Sequence, residues 1–577
     1  MALTSFIEPD LNIKTWGDVA PYVDELEKSQ PRTVLGLQRL IRRYSDLYCV
    51  VLENCGRAFI TYSKDVRNLS AVQRLEQLIN ELTPMTEHVH RITQNILSNP
   101  AAVDLDDRYG PVKKAFRWEI SSYAPSTVPL ENEDAKLSLR TEVINALVTV
   151  DIGDQKEIPI IAAEGMLDNP DRDYREKIWR TIHEKRLDIK PQLDALFNSM
   201  VHLRHETGRR AGHPNYQRYM HWSPYPQHTI RQARRFHDVI EQVVVPVARE
   251  ITDRQRERLG LTTLRPWDSN AIRWGSCATP KGLHELVPFQ NTDELLDKSI
   301  EVFSELKPVF GHNLETMRAN DMFDLDAKKG KGGFTAYCLN LEASGLPFVA
   351  MNASGTSSDV GTKMHEGGHA VHMFATRHDP LIFRRDVSLT MAETASIAME
   401  FLTMDKWNKF YPDPADHRRA MLSDLEEKVR FLPWCAAVDK FQQWIYKNPK
   451  HTPKERDEYF AHLMDRFSPN NISWKGLERY RKNLWQEQDH IFSSPFYYID
   501  YGFALLTAIQ IYRNYLQNPK QAVEQYYQGL RMGGSKPYPR VWEVMTGKKY
   551  VPPGSPRFKP MVEDHMRFMM ERIEELS

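Results

Sequence analysis

Two histidines four residues apart, with a glutamate directly after the first, are the side chains of this sequence best suited to chemistry: His365, Glu366 and His369. They lie in residues 359–369, which read DVGTKMHEGGH. On a helix, positions i and i+4 project from one face. Both imidazoles can then offer nitrogen to one ion at about 2.0–2.1 Å, as zinc requires. Glu366 sits one step round the helix. There it reaches a water beside the ion without being a ligand, which is the place of a general base. The chemistry would be hydrolysis. The bare pattern is only moderately specific: with 20 histidines in 577 residues, it arises by chance in roughly one chain in twenty. The plain alternative is a surface helix with two ordinary histidines. Gly367 and Gly368 each weaken the helix by about 1 kcal/mol relative to alanine, a cost that asks for a close neighbour or a functional reason. Ser357, Ser358 and Asp359 are available to cap its N-terminus.

A third ligand must come from elsewhere. A histidine six positions after His369, with glycine at the third, would complete one known pattern. Those positions hold Ala375 and His372, so that pattern fails. The remaining candidate is Glu393, 24 residues after His369 in an apolar stretch that predicts a second helix. A carboxylate buried there needs a partner, and a metal supplies one. His372 is seven residues from His365, a rise of about 10.5 Å, too far for one small ion. It reads as a packed histidine. Glu400 is placed to orient a ligand histidine through its other ring nitrogen.

The elements that must position these groups are mostly helices. Apolar residues at Leu75, Leu78, Ile79 and Leu82 make a helical stripe with Ser70 ahead of it as a cap, and residues 33–55 predict another helix. Val148, Val150 and Ile152 alternate with polar residues, Gly153 and Asp154 offer a turn, and Ile158 and Ile160 follow; this predicts a hairpin. Asn169, Pro170 and Asp171 announce a further helix. Residues 328–340 read as a glycine-rich turn leading into a strand, with residues 346–352 as its partner. The fold class expected is mainly α, with a small sheet just before the metal-binding helix. A division into residues 1–205 and 206–577 is the domain organisation expected, although no Gly/Ser-rich joint marks it.

Composition narrows the class. The hydrophobic fraction is 41% and the charged fraction 27%, ordinary for a soluble enzyme. Lys plus Arg is 76 against 77 for Asp plus Glu, which argues against a nucleic-acid or membrane-surface binder. The first residues show no signal-peptide pattern, and no apolar run approaches membrane-spanning length. Five cysteines without CxxC spacing fit free thiols in a reducing compartment, so a cytoplasmic location is expected.

At these residues the sequence resembles the oligoendopeptidase F family, within the thimet oligopeptidase superfamily of zinc metallopeptidases. Residues 347–352 (PFVAMN), then Asp359 and Val360, then 365–369 follow that family's order, and its Glu-x-x-Ser-x-x-x-Glu helix appears as Glu393, Ser396 and Glu400. Residues 495–501 (PFYYIDY) look like its tyrosine-rich substrate segment, and 533–539 (GGSKPYP) like its C-terminal signature. With weaker similarity at 261–268 and 169–175, the resemblance covers about residues 140 to 550. It implies one zinc per chain on His365, His369 and Glu393, with Glu366 as base. It also implies a helical clamshell whose deep channel admits short peptides and excludes folded proteins. The partners it implies are oligopeptides. One departure is Gly367, where many members carry an aromatic residue; the loss would widen the site or shift specificity without touching the ligands.

The resemblance also places the tetrahedral oxyanion against a tyrosine, with Tyr501 ahead of Tyr498, and makes His490 a substrate contact. The segment from Phe348 to Asn352 could pair with substrate backbone as an added strand, and Gly332 and Gly333 could allow close approach. Aminopeptidase-like and thermolysin-like enzymes would need their glutamate where this chain has Ser388 and Leu389. A dipeptidyl carboxypeptidase shares the metal geometry and stays open as the alternative to an endopeptidase. A catalytically dead peptide-binding protein would have no need to keep Glu366 and all three ligands. Residues 355–363 do not have the glycine spacing of a phosphate-binding loop, and no G-x-S-x-G nucleophile motif is present.

Overall fold

Helical periodicity dominates the chain, and the computed structural model is mainly α; it describes residues 6–222, 228–269, 278–332 and 336–577. α1, Val34–Lys64, opens where the Thr33 side chain accepts a hydrogen bond from the Gly36 amide. The stripe at Leu75 and Leu78 lies in the helix Leu69–Leu82, capped by Asn68 in place of Ser70 because the Asn68 carbonyl oxygen accepts from Ala71 N–H. The hairpin forms as expected: β1, Thr149–Ile152, pairs antiparallel with β2, Gln155–Pro159, through a turn whose Gly153 takes φ +60°. The next helix, α2, spans Arg172–Arg210. Its cap is Asp171, which accepts from the Asp173 and Tyr174 amides, so Pro170 precedes the cap and does not fill the first turn.

Residue 205 lies inside α2, so a division there coincides with no break in the chain. The reason is packing: Met200, Val201, Arg204 and Thr207 are buried around that point, and the helix runs on through Pro191 without a break. Apolar side chains divide elsewhere. Residues from Ile7 to Phe116, with Leu381, form one core, and residues from Leu137 to Ile573 form the largest one.

The sheet before the metal-binding helix has three strands in the order β3 (Phe323–Asp326), β5 (Leu346–Ala353), β4 (Ala336–Leu341). β4 and β5 pair, as expected, and run antiparallel, and β3 adds a parallel neighbour on the far side of β5. Lys331 stitches the glycine-rich turn beneath this sheet. Its buried ammonium donates to the carbonyls of Asp324 (2.8 Å), Asp326 (3.0 Å) and Met351 (2.7 Å). Among the described residues, no helix is long and apolar enough to cross a membrane.

Candidate metal centre

The site is built from four helices: α3, Ser357–Thr376; α4, Leu389–Thr403; α5, Pro414–Lys447; and α6, Ile499–Gln517. α3 starts at Thr356 in a capping box with Asp359, whose carboxylate accepts from the amides of Ser354 (2.9 Å) and Thr356 (2.8 Å). Asp359 is thus a capping group, while Ser357 and Ser358 already lie within the helix. α4 is apolar on nearly all sides and buried throughout save Leu389 and Ala392, as expected of a helix in the centre of a large core.

Glycine at 368 lets α3 and α4 meet. A Cβ there would stand 2.7 Å from both Ala395 O and Ser396 Cα, and 2.9 Å from Met399 Cβ. That contact brings the ligand candidates together. The donor atoms of His365, His369 and Glu393 all lie within 4.8 Å of one another. Glu393 Oε2 is 3.2 Å from His365 Nε2 and 3.6 Å from His369 Nε2. Gly367, the other glycine, faces Phe303: a Cβ would meet that ring's Cζ at 2.4 Å. The aromatic bulk missing from position 367 is supplied by Phe303 from the helix Thr292–Leu306, so the departure opens no space.

Two of the ligand candidates, His365 and Glu393, are oriented by other side chains. Glu400 Oε1 is 2.7 Å from His365 Nδ1, which leaves Nε2 directed at Glu393. Glu400 Oε2 accepts from the buried Lys428 ammonium at 2.7 Å, and Lys428 also reaches Asp424 at 2.7 Å. Glu393 accepts from Ser396 Oγ at 2.9 Å through Oε2 and from the Tyr497 hydroxyl through Oε1. Burial opposes charge throughout, and the pairings decide the outcome. Burial raises the Glu393 carboxyl, but the nearby His369, the His365 contact and Tyr497 outweigh it and bring Glu393 down to about 2. Burial likewise works against His365, yet the carboxylates of Glu393 and Glu400 lift it well above the ordinary histidine value. His369 is pushed down to about 4 by burial.

Glu366 differs from all of these. Burial pushes it up to about 7, and its Oε2 is buried with no hydrogen-bond partner. His372 is packed, with Nε2 unpartnered, and burial lowers it to about 3.

Glu366 faces a cavity of about 540 Å³ lined by His365, His369 and Glu393, by β4 through Ala336, Tyr337 and Cys338, and by Tyr497, Tyr498 and Tyr501. Residues from the hairpin-to-α2 region, including Glu164, Leu167, Trp179 and His183, close its other side. His490 lines it as well, with Nε2 3.2 Å from the Tyr501 hydroxyl. The His490 ring centre is 5.6 Å from that of Tyr501 and 5.1 Å from that of Tyr498.

Two expected substrate contacts, Phe348 and Gly332, fall elsewhere. Phe348 is buried beneath the sheet with Ile60, Leu341 and Ala350. Its strand β5 is the central one, paired on both edges, so the outer edges belong to β3 and β4, and it is β4 that lines the cavity. Gly332 packs against α1: its amide donates to Ser63 O at 2.6 Å, and a Cβ would meet Glu142 Oε1 at 2.6 Å. Gly333 lies outside the described residues. Sequence reasoning missed Tyr497, Lys428 and Asp424. The one signal available for Tyr497 was its position four before Tyr501.

The model of Peptidase family M3 matches residues 165–551, more than half of the chain, and the chain belongs to that family, whose members are metallopeptidases. It is 25% identical over 304 residues to an oligoendopeptidase F homolog of Borreliella burgdorferi, covering 52% of this chain and 49% of that protein. It is 26% identical over 264 residues to the group B oligopeptidase PepB of Streptococcus agalactiae, covering 42% and 40%. These matches span half or less of the curated relatives' length. Its fold is similar to that of PZ peptidase A solved with an inhibitor, with a TM-score of 0.88 at 23% identity over 97% of each chain. It is also similar to oligoendopeptidase F of Enterococcus faecium, with a TM-score of 0.61 at 11% identity over 97% of each.

Proposed function

We propose that this chain is a zinc-dependent endopeptidase that hydrolyses internal bonds of short, unstructured peptides. The observation that carries the reading is the convergence of His365, His369 and Glu393 beside the unpartnered Glu366 carboxylate on one cavity wall. The donor set fits zinc. Ligands at about 2.0–2.1 Å in a tetrahedron stand about 3.3 Å apart, and the carboxylate–imidazole separations are 3.2 and 3.6 Å. Zinc bound there would acidify a water and polarise the scissile carbonyl.

The remaining steps belong to side chains. Glu366 takes a proton from the attacking water and passes it to the leaving amine. Its burial keeps its affinity for that proton high. Tyr501, with Tyr498 behind it, donates to the developing oxyanion, and His490 holds the Tyr501 oxygen. Substrate backbone adds to the free edge of β4, whose Ala336, Tyr337 and Cys338 line the cavity. A cavity of about 540 Å³ holds an extended segment and excludes a folded domain.

The dipeptidyl carboxypeptidase alternative needs a cation for the substrate's terminal carboxylate. Among the described residues, no lysine or arginine lines the cavity. Mass spectrometry of a peptide mixture with and without a zinc chelator tests the reading. Internal cuts lost on chelation are expected. Release of C-terminal dipeptides alone would move the assignment to the carboxypeptidase, and zinc binding without any cutting would favour a peptide-binding protein.

A further inference from the structure

The roles of the two His490 nitrogens follow from a partly buried chain of contacts that starts at an indole. Trp434 Nε1 lies 3.0 Å from Gln488 Oε1. An indole N–H can only donate, so it fixes which end of the Gln488 amide faces it. The amide nitrogen is thereby turned to His490 Nδ1, at 2.9 Å. An amide NH₂ can only donate, so Nδ1 must accept, and the ring proton of the neutral imidazole resides on Nε2. Nε2 is 3.2 Å from the Tyr501 oxygen. The Nε2–H therefore donates to that oxygen, and the Tyr501 hydrogen is left to donate away from His490, toward the cavity and the neighbouring Tyr497 hydroxyl. With the other tautomer, Tyr501 would spend its hydrogen on His490.

We infer that Gln488, itself held by Trp434, is a positioning residue that locks the His490 tautomer and so leaves the Tyr501 hydroxyl available as a donor into the cavity. The inference rests on the proposed role of Tyr501 at the oxyanion. Gln488 lines the cavity beside His490, whereas Trp434 stands behind it and does not. Trp434 is 3% exposed, and α5, which carries it, also carries Lys428, so one helix supports both the metal ligands and the oxyanion donor.

The test is a double-mutant cycle on kcat in the zinc-loaded enzyme, with Gln488→Met and Tyr501→Phe alone and together. Gln488→Met removes the amide donor with little change in volume. It is expected to lower kcat on the order of tenfold or more, since a wrong tautomer disables a catalytic hydrogen bond, with KM nearly unchanged. In the Tyr501→Phe background the same change should lower kcat by less than about threefold, because a residue acting through Tyr501 has nothing left to position. Equal losses in both backgrounds would show a general structural role and overturn the inference, as would full kcat in Gln488→Met. Should that variant fail to fold by circular dichroism, Trp434→Phe, which frees the amide to turn round, carries the same cycle with the same criteria. If Tyr501→Phe alone keeps full kcat, the reading of Tyr501 fails first, and the two failures are distinguishable.

Discussion

Gly368→Ala is a one-carbon perturbation with a consequence that the helix contact sets. The added Cβ would stand 2.7 Å from Ala395 O and Ser396 Cα, both backbone atoms of α4 that no rotamer change can move aside. Ordinary van der Waals contact begins at 3.4 Å, so the helices must separate locally by the difference, about 0.7 Å. Metal sites tolerate departures of about 0.2 Å in ligand distance. Glu393 rides on α4 two residues before Ala395, whereas His365 and His369 ride on α3. The separation therefore withdraws the carboxylate from the two imidazoles. Overpacking costs about 1–3 kcal/mol, and alanine in a helix returns about 1 kcal/mol relative to glycine. Global stability should thus change little while zinc affinity falls at least about tenfold, the lower end of what disturbing a ligand's support costs. Competition with a fluorescent zinc chelator measures the affinity, and thermal unfolding of the metal-free protein measures the stability. Wild-type zinc affinity in Gly368→Ala would refute the claim that this glycine sets the ligand geometry.

Tyr497→Phe should weaken zinc binding by about 10–100-fold, because Glu393 Oε1 loses the hydroxyl that orients it; the same chelator competition reads it, and an unchanged affinity would count against that role. Tyr501→Phe should lower kcat by about 10²–10³ with KM little altered, as removal of an oxyanion donor does; steady-state kinetics on a single peptide decides. Asp500, buried beside Thr390, is pushed by burial from 3.8 up to about 8. The folded chain therefore keeps a proton that the unfolded chain has already released between about pH 4 and 8, and stability must fall as pH rises through that window. Asp500→Asn carries no such proton, so its thermal midpoint should fall less than the wild type's between pH 5 and 8; parallel curves would contradict the assignment.

The parts of the site that the sequence exposed are those with local spacing. His365, Glu366 and His369 declare themselves because four residues make one helical turn, and the β1–β2 hairpin because alternation and a glycine turn sit together. Glu393 was within reach because a carboxylate in an apolar helix needs a partner. What escaped depends on contacts between distant segments. Lys428 reaches Glu400 across 28 residues, and nothing in the α5 sequence marks that lysine as buried. Phe303 fills the space beside Gly367 from a helix more than 60 residues earlier. β3 has only four residues, too few for the alternation of Phe323 and Leu325 with Asp324 and Asp326 to stand out, yet its pairing makes β5 central and leaves β4 an edge strand. Gly332 reads as room for substrate, whereas its amide bonds to Ser63 and, with the Gly330 amide on Ala146, holds the sheet to the helices before it. A continuous α2 across residue 205 was likewise hidden, since Pro191 falls inside that helix.

The most direct test of the account uses Glu366→Gln loaded with zinc. This change keeps the shape of the side chain and removes the base, while the ligand atoms of His365, His369 and Glu393 are untouched. The variant should bind one zinc per chain with wild-type affinity and cut peptides about 10²–10⁴-fold more slowly, the range general-base catalysis contributes. Cutting at the wild-type rate with zinc bound would contradict the assignment of Glu366 as the base.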